Sequence, residues 1–243
     1  MKNTLQYSTE IYLNHLPLIL VFSVSFIIAF LIPAFASFPT YNDVGGIFLR
    51  LASILTNLTP FTTAVITFSI LLSLLFLSFA IVAINVIVRH SRTQTRIRKE
   101  VMDGLERYTS RVFVVLLIYT IIVVFFEMLT YALNVSESYA AILSIVFLPF
   151  FFYAPASIVV DEKGIKRAMQ QSLSFFFKRL DYIVLWFVVA FVLLSVFDLF
   201  FIAVGGTVLS RYLILVFNSL FIMPFLVVLQ SQSYMGRFPM LKR

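Results

Sequence analysis

Residues 61–100 read FTTAVITFSILLSLLFLSFAIVAINVIVRHSRTQTRIRKE. No charge occurs from Phe61 to Val88, and then Arg89, Arg92, Arg96, Arg98 and Lys99 follow within a few residues. A hydrocarbon core about 30 Å thick is crossed by about 20 apolar residues in a helix. The run therefore predicts a transmembrane helix, and the cations that close it predict the side of the membrane on which it ends. Barrel strands would alternate with period two over about 10 residues, a pattern foreign to this continuous run.

Five further stretches have the same character, at 16–35, 112–133, 139–160, 182–204 and 209–229. With six spans, sixteen of the eighteen Lys and Arg residues fall on one side, leaving Arg50 and Arg211 on the other. Short loops rich in Lys and Arg remain cytoplasmic, so both termini are expected inside. Residues 1–243 are thus read as a single integral membrane domain, all-α and polytopic. Ala34-Phe35-Ala36 resembles a cleavage site, but the preceding apolar run exceeds the roughly 7–15 residues of a signal-peptide core, so it is read as a span.

Composition agrees. The chain is 61% hydrophobic and 12% charged, against about 25% charged residues in soluble domains. With no cysteine, disulfides and thiolate chemistry are excluded. The net charge of +7 flanks spans, where orientation and anionic headgroups account for it, so nucleic acid is not an expected partner. The candidate contacts to anionic lipid are Arg96, Arg98, Lys99, Lys166, Arg167, Lys178 and Arg179.

Two basic segments carry helical periodicity. In 161–179, Asp161 is read as an N-cap, and Ile165, Ala168, Met169, Ser172, Leu173 and Phe176 share one face. Such a helix can lie in the headgroup plane. Gly104–Arg111 can be laid over Ser172–Arg179, and Leu5, Tyr7, Ile11 and Tyr12 before Pro17 offer a third copy. The layout would then be an interfacial helix and a transmembrane hairpin, three times, with convergent membrane grammar as the competing account. On the opposite side, Ile47–Leu58 is apolar enough to lie on the membrane, and the sequons at Asn57 and Asn134 fall in outer connections.

Ionisable groups inside spans are functional suspects. Glu127 and Asp198 are the two acids within the runs, and about 1.5 Å of rise per residue puts them at similar depth. A shared cavity would make them a cation or proton site; proximity to the outer interface is the structural alternative. Asn85, Asn218, Tyr119, Ser73 and Ser78 read as interhelical hydrogen-bonding groups. Pro149 and Pro155 interrupt the fourth span and Pro224 the sixth, each removing a donor and bending its helix. Neither HExxH, a Walker loop nor GxSxG occurs, and the two histidines, His15 and His90, sit at span ends. No catalytic residue, cofactor or metal site is therefore expected.

The pattern Pro155-x-x-Ile158-Val159-Val160-Asp161-x-x-Gly164-x-x-x-Ala168-x-x-x-Ser172, continuing through Lys178-Arg179 into a new span, resembles a motif of six-helix prokaryotic membrane proteins of unknown function. Among these is the membrane domain attached to some glycerophosphoryl diester phosphodiesterases. The resemblance implies an integral membrane protein in which a short surface helix follows a proline-containing turn. This chain has no phosphodiesterase domain, so hydrolysis is not implied and no catalytic residues carry over. The expected role is a membrane scaffold or accessory protein contacting lipids and partner helices. The alternative is a small-solute transporter or channel using the proline breaks with Glu127 and Asp198.

Overall fold

The computed structural model describes residues 2–35, 40–43, 46–49, 59–91, 97–136 and 138–236. Helix α1 (Lys2–Asn14) turns by 90° at His15 into α2 (Leu16–Phe35). Strands β1 (Thr40–Asp43) and β2 (Gly46–Leu49) pair antiparallel. The remaining helices are α3 (Pro60–His90), α4 (Ile97–Ala132), α5 (Ser138–Phe151), α6 (Ala154–Val160), α7 (Ile165–Lys178), α8 (Leu180–Phe217) and α9 (Met223–Met235). Five helical segments are long and apolar enough to cross a membrane, and the bent pair α1–α2 makes a sixth. The protein is an α-helical polytopic membrane protein.

Several expectations are corrected. The outer connection holds a short hairpin over Thr40–Leu49 that the sequence did not announce; most of the apolar stretch Ile47–Leu58, with the sequon at Asn57, lies outside the described residues. The stretch before the third span is no separate helix, since α4 runs unbroken from Ile97 to Ala132. Asp161 does not cap α7. Its N–H bonds the Ser157 carbonyl at 3.2 Å and so ends α6, while Gly164 caps α7. The expected fifth and sixth spans stand as two separate membrane-crossing segments, Leu180–Val204 and Tyr212–Met235. Between Phe197 and Phe217 the chain folds back. Phe197 and Phe217 have ring centroids 4.5 Å apart, whereas an uninterrupted helix would separate them by about 30 Å.

The centre of the bundle is built by α3 and α9. Every residue from Val82 to Val88 is buried, and from Pro224 to Met235 the described side chains are buried or half-buried. A helix apolar all round, as α3 is up to Val88, belongs in a core, whereas α9 also buries the polar Ser231, Gln232 and Ser233. By contrast, α4 and α8 expose one stripe each. Val184, Val188, Phe191, Val192, Val196 and Leu199 recur at helical spacing on α8, the arrangement expected where lipid tails are the solvent.

Interhelical contact rests on shape. Gly104 of α4 faces Val86 of α3 so closely that a Cβ there would lie 2.7 Å from Val86 Cγ2. Small residues permit such backbone approach in membrane bundles. Among the expected hydrogen-bonding residues, Ser73 does cross, donating to the Ala29 carbonyl at 2.6 Å. Asn85 and Ser78 donate instead to carbonyls of their own helix, Ile81 and Leu75. The α3 start follows local rules: the Thr59 hydroxyl accepts from the Thr62 N–H at 3.2 Å, and Pro60 occupies the first turn, where its missing donor costs nothing.

Candidate functional site

The fourth span breaks between α5 and α6, at Phe152 and Tyr153. Pro149 lies inside α5 and Pro155 in the first turn of α6. Proline supplies no N–H, so the break leaves backbone groups without helical partners. Side chains from elsewhere take them. Ser172 of α7 donates its hydroxyl to the Pro149 carbonyl at 2.7 Å and accepts the Tyr153 N–H at 2.9 Å. Gln230 of α9 donates to the Phe152 carbonyl. The break is thereby fastened to both the surface helix and the central helix. Around it pack Phe152, Tyr153, Phe175, Trp186 and Tyr234, with Phe152 edge-on to Trp186 at 5.0 Å.

Below the break lies a polar latch. Glu162 has φ of 56°, the left-handed region that costs a non-glycine residue about 1–2 kcal/mol. The turn aims its carboxylate back at α3 and α4. Arg89 donates to Glu162 Oε1 at 2.8 Å, and Arg107 reaches Oε2 at 2.8 Å. Arg89 also donates to the Val159 carbonyl at 2.8 Å and to the Tyr108 hydroxyl at 3.4 Å. One residue earlier, Asp161 accepts the Tyr234 hydroxyl of α9 at 2.7 Å. The ends of α3, α6 and α9 are thus tied together through two adjacent carboxylates.

The Arg89 hydrogen bond holds the Glu162 carboxyl below its ordinary value of 4.5, with Tyr108 and Arg107 adding to the effect against partial desolvation. The sign follows from linkage: a carboxylate with a depressed folded value stabilises fully above its unfolded value and loses that contribution as the pH falls through the folded one. The Glu162 contribution to thermal stability in detergent is therefore expected to be retained above about pH 4.5 and lost progressively below it. In Glu162→Gln that acid-dependent step is reduced relative to wild type, and an unchanged step would remove Glu162 from this role.

Beside the latch, α7 presents its polar side to a cleft of about 540 Å³. Lys163, Arg167, Lys178 and Arg179 line it, and no carboxylate is among the lining residues. Gln170, Gln171, Ser174 and the ring of Phe175 complete the lining. The opposite side of α7 packs inward through Ala168 and Ser172, and Phe175, itself buried, stands between the packed side and the cleft. The predicted apolar face is therefore the packed one, with Phe175 added to it.

The sequence-selected residues are distributed as follows. Arg167, Lys178 and Arg179 converge on the cleft, Lys166 is exposed on the same helix outside the lining, and Lys99 is exposed on α4. Arg96 and the Arg98 side chain lie outside the described residues. Glu127 is half-buried on α4 and Asp198 buried on α8. Helix α4 packs on α3, α5, α6 and α7, and α8 on α2, α7 and α9, so the two acid-bearing helices share no extended interface. Pro224 sits in the first turn of α9, directly after a π-helical turn at Asn218–Ile222. There the Met223 N–H bonds the Asn218 carbonyl, so the wider turn absorbs the irregularity. Among the described residues no group of three or more His, Asp or Glu side chains could hold a metal ion.

Sequence reasoning passed over Glu162, Tyr108, Gln230 and Tyr234 as functional groups. Their one local signal is a polar residue placed where an apolar run ends. No family model matches the chain, and neither a curated protein nor a solved structure matches it.

Proposed function

We propose that this chain is a scaffold or accessory protein of a prokaryotic cell membrane, with both termini cytoplasmic, whose basic face engages anionic lipid headgroups. One observation carries the reading: the cations of that face fall into two classes. Arg89 and Arg107 are committed internally to Glu162. Arg167 and Lys178 form no ion pair among the described residues and line an open cleft without acids. Cations that hold the fold together would be satisfied like the first class. Cations kept outward beside an apolar membrane surface suit phosphate, each Lys or Arg near an anionic leaflet contributing about 1 kcal/mol. Partner helices in the membrane would meet the exposed stripes of α4 and α8.

Transport draws less support. At the α5–α6 break the Pro149 and Phe152 carbonyls are bonded by Ser172 and Gln230, and Glu127 and Asp198 lie on helices that share no extended interface among the described residues.

Native mass spectrometry of protein released from mixed bilayers tests the reading. Anionic lipid is expected to be retained over zwitterionic lipid, and retention of neither kind would refute it. Accessibility tags between α2 and β1 and between α3 and α4 are expected to report opposite compartments. A shared compartment would overturn the orientation.

A further inference from the structure

Serine hydroxyls buried in these helices commonly turn back on their own backbone. Ser23, Ser144, Ser219 and Ser233 each donate to the carbonyl four residues earlier, at 2.7 or 2.8 Å. Ser157 of α6 and Ser231 of α9 do not. Both are fully buried, and neither hydroxyl has a hydrogen-bond partner among the described residues. Asn85 of α3 is buried as well. Its amide N–H donates to the Ile81 carbonyl at 2.7 Å, while its Oδ1 has no partner among the described residues. Inside a membrane bundle no bulk water supplies the missing bonds, so each such group costs stability.

The three groups stand at one level of the bundle. Helices α3, α6 and α9 pack on one another in all three pairings. Gln230 donates to the Phe152 carbonyl and Tyr234 to Asp161. Helix α9 therefore runs alongside α6 in the same direction, with Ser231 abreast of the stretch that holds Ser157. Arg89 reaches the Val159 carbonyl, and Asn85, one turn before Arg89 and about 6 Å along the axis, is abreast of that stretch too.

They also face a common seam. Ser157 lies one turn from Tyr153, whose ring centroid is 5.9 Å from that of Tyr234, and one turn from Asp161, which accepts the Tyr234 hydroxyl. It is thus on the side of α6 that meets α9. Ser231 lies three residues from Tyr234, which contacts α6, and three from Val228, which belongs to the same apolar cluster as Ile84 and Val88 of α3. It is thus directed between α3 and α6. Asn85 shares a face of α3 with Arg89, which reaches α6.

We infer that Asn85, Ser157 and Ser231 bind one buried water molecule that joins α3, α6 and α9. A water accepts two hydrogen bonds and donates two. Both serine hydroxyls donate to it and it donates to Asn85 Oδ1, which makes the roughly three bonds usual for buried water. Its second hydrogen is left for a helix carbonyl, whose oxygen has a spare lone pair. A cation suits the seam poorly, because the three side chains are neutral and a buried charge needs a paired one. Asp161, the next acid along this side of α6, already accepts from Tyr234 and lies 3.6 Å from Lys163. All three residues are buried, so the site stands apart from the lipid-binding reading.

The test uses the full-length protein in bilayers and solid-state NMR transfer of magnetisation from water to the Asn85 side-chain amide, assigned by its loss in Asn85→Leu. Wild type is expected to show this transfer, and to show far less to the backbone N–H of Ala80, buried on the same helix. Ser157→Ala combined with Ser231→Ala is expected to lose it. No transfer in wild type, equal transfer to Ala80, or undiminished transfer in the serine double variant would each overturn the site. Trp186 fluorescence through a denaturant titration gives a second readout. Asn85→Leu is expected to lower the midpoint. Adding both serine changes is expected to lower it by less than the sum of the separate shifts, because groups that share one ligand lose it together. Additive shifts would overturn a shared water. A midpoint that rises when sodium replaces a bulky organic cation at constant ionic strength would put a metal ion in the place of the water.

Discussion

Replacing Ser172 by alanine is expected to destabilise the protein by about 2–4 kcal/mol, because two buried backbone groups lose their partner at once. The hydroxyl both donates to the Pro149 carbonyl and accepts from the Tyr153 N–H, and the residue is fully buried. Alanine keeps the helix and even favours it, so the loss isolates the hydrogen bonds. Ser172→Thr retains the hydroxyl and is expected to lose less. The single tryptophan provides the readout. Trp186 lies against Phe152 at the break and donates its indole N–H to the Leu226 carbonyl at 2.8 Å. Its fluorescence through a denaturant titration in detergent micelles reports the loosening directly. A midpoint in Ser172→Ala equal to that of wild type would show that the break does not depend on α7.

Enlarging Gly104 is the second large perturbation, and here two terms oppose. Glycine to alanine in a helix gains about 0.8–1 kcal/mol of propensity. Against this, a Cβ at 2.7 Å from Val86 Cγ2 forces a buried, β-branched side chain to move, and overpacking of this kind costs about 1–3 kcal/mol. Valine has little rotamer freedom in a helix, so the clash is not relieved cheaply. Gly104→Ala is expected to be destabilised by about 1 kcal/mol, and Gly104→Leu by about 3 kcal/mol or more. Pairing Gly104→Ala with Val86→Ala vacates the space, and a double-mutant cycle is expected to give a favourable coupling. Strict additivity in that cycle would show that the two residues do not meet.

These two residues mark the boundary of what the sequence discloses. The spans are legible because lipid imposes a length and a polarity on any helix that crosses it, and the charge at their ends imposes a side. The face of α7 is legible because Ala168, Met169, Ser172 and Leu173 repeat with the helical period. Ser172 reads there only as a small polar residue on an apolar face. Its partners lie 19 and 23 residues away in the chain and become evident only once the span breaks at Phe152 and Tyr153. Gly104 occurs outside the apolar runs, so it was no evident packing contact, yet α4 runs straight through and sets it against Val86. Glu162 required a backbone conformation that its residue type disfavours. That choice follows from two arginines on other helices, which no local pattern encodes. The acids Glu127 and Asp198 illustrate the reverse. Span positions led to an expectation of similar depth, but which helices adjoin could not be read from them.

The ties among α3, α6 and α9 all gather at one end of the bundle, where Arg89, Glu162, Asp161 and Tyr234 meet. At the other end Phe61 and Tyr139 stand exposed, and so does Leu133. Because a single carboxylate, Glu162, is shared by arginines of α3 and α4, its removal would release several helix ends at one stroke.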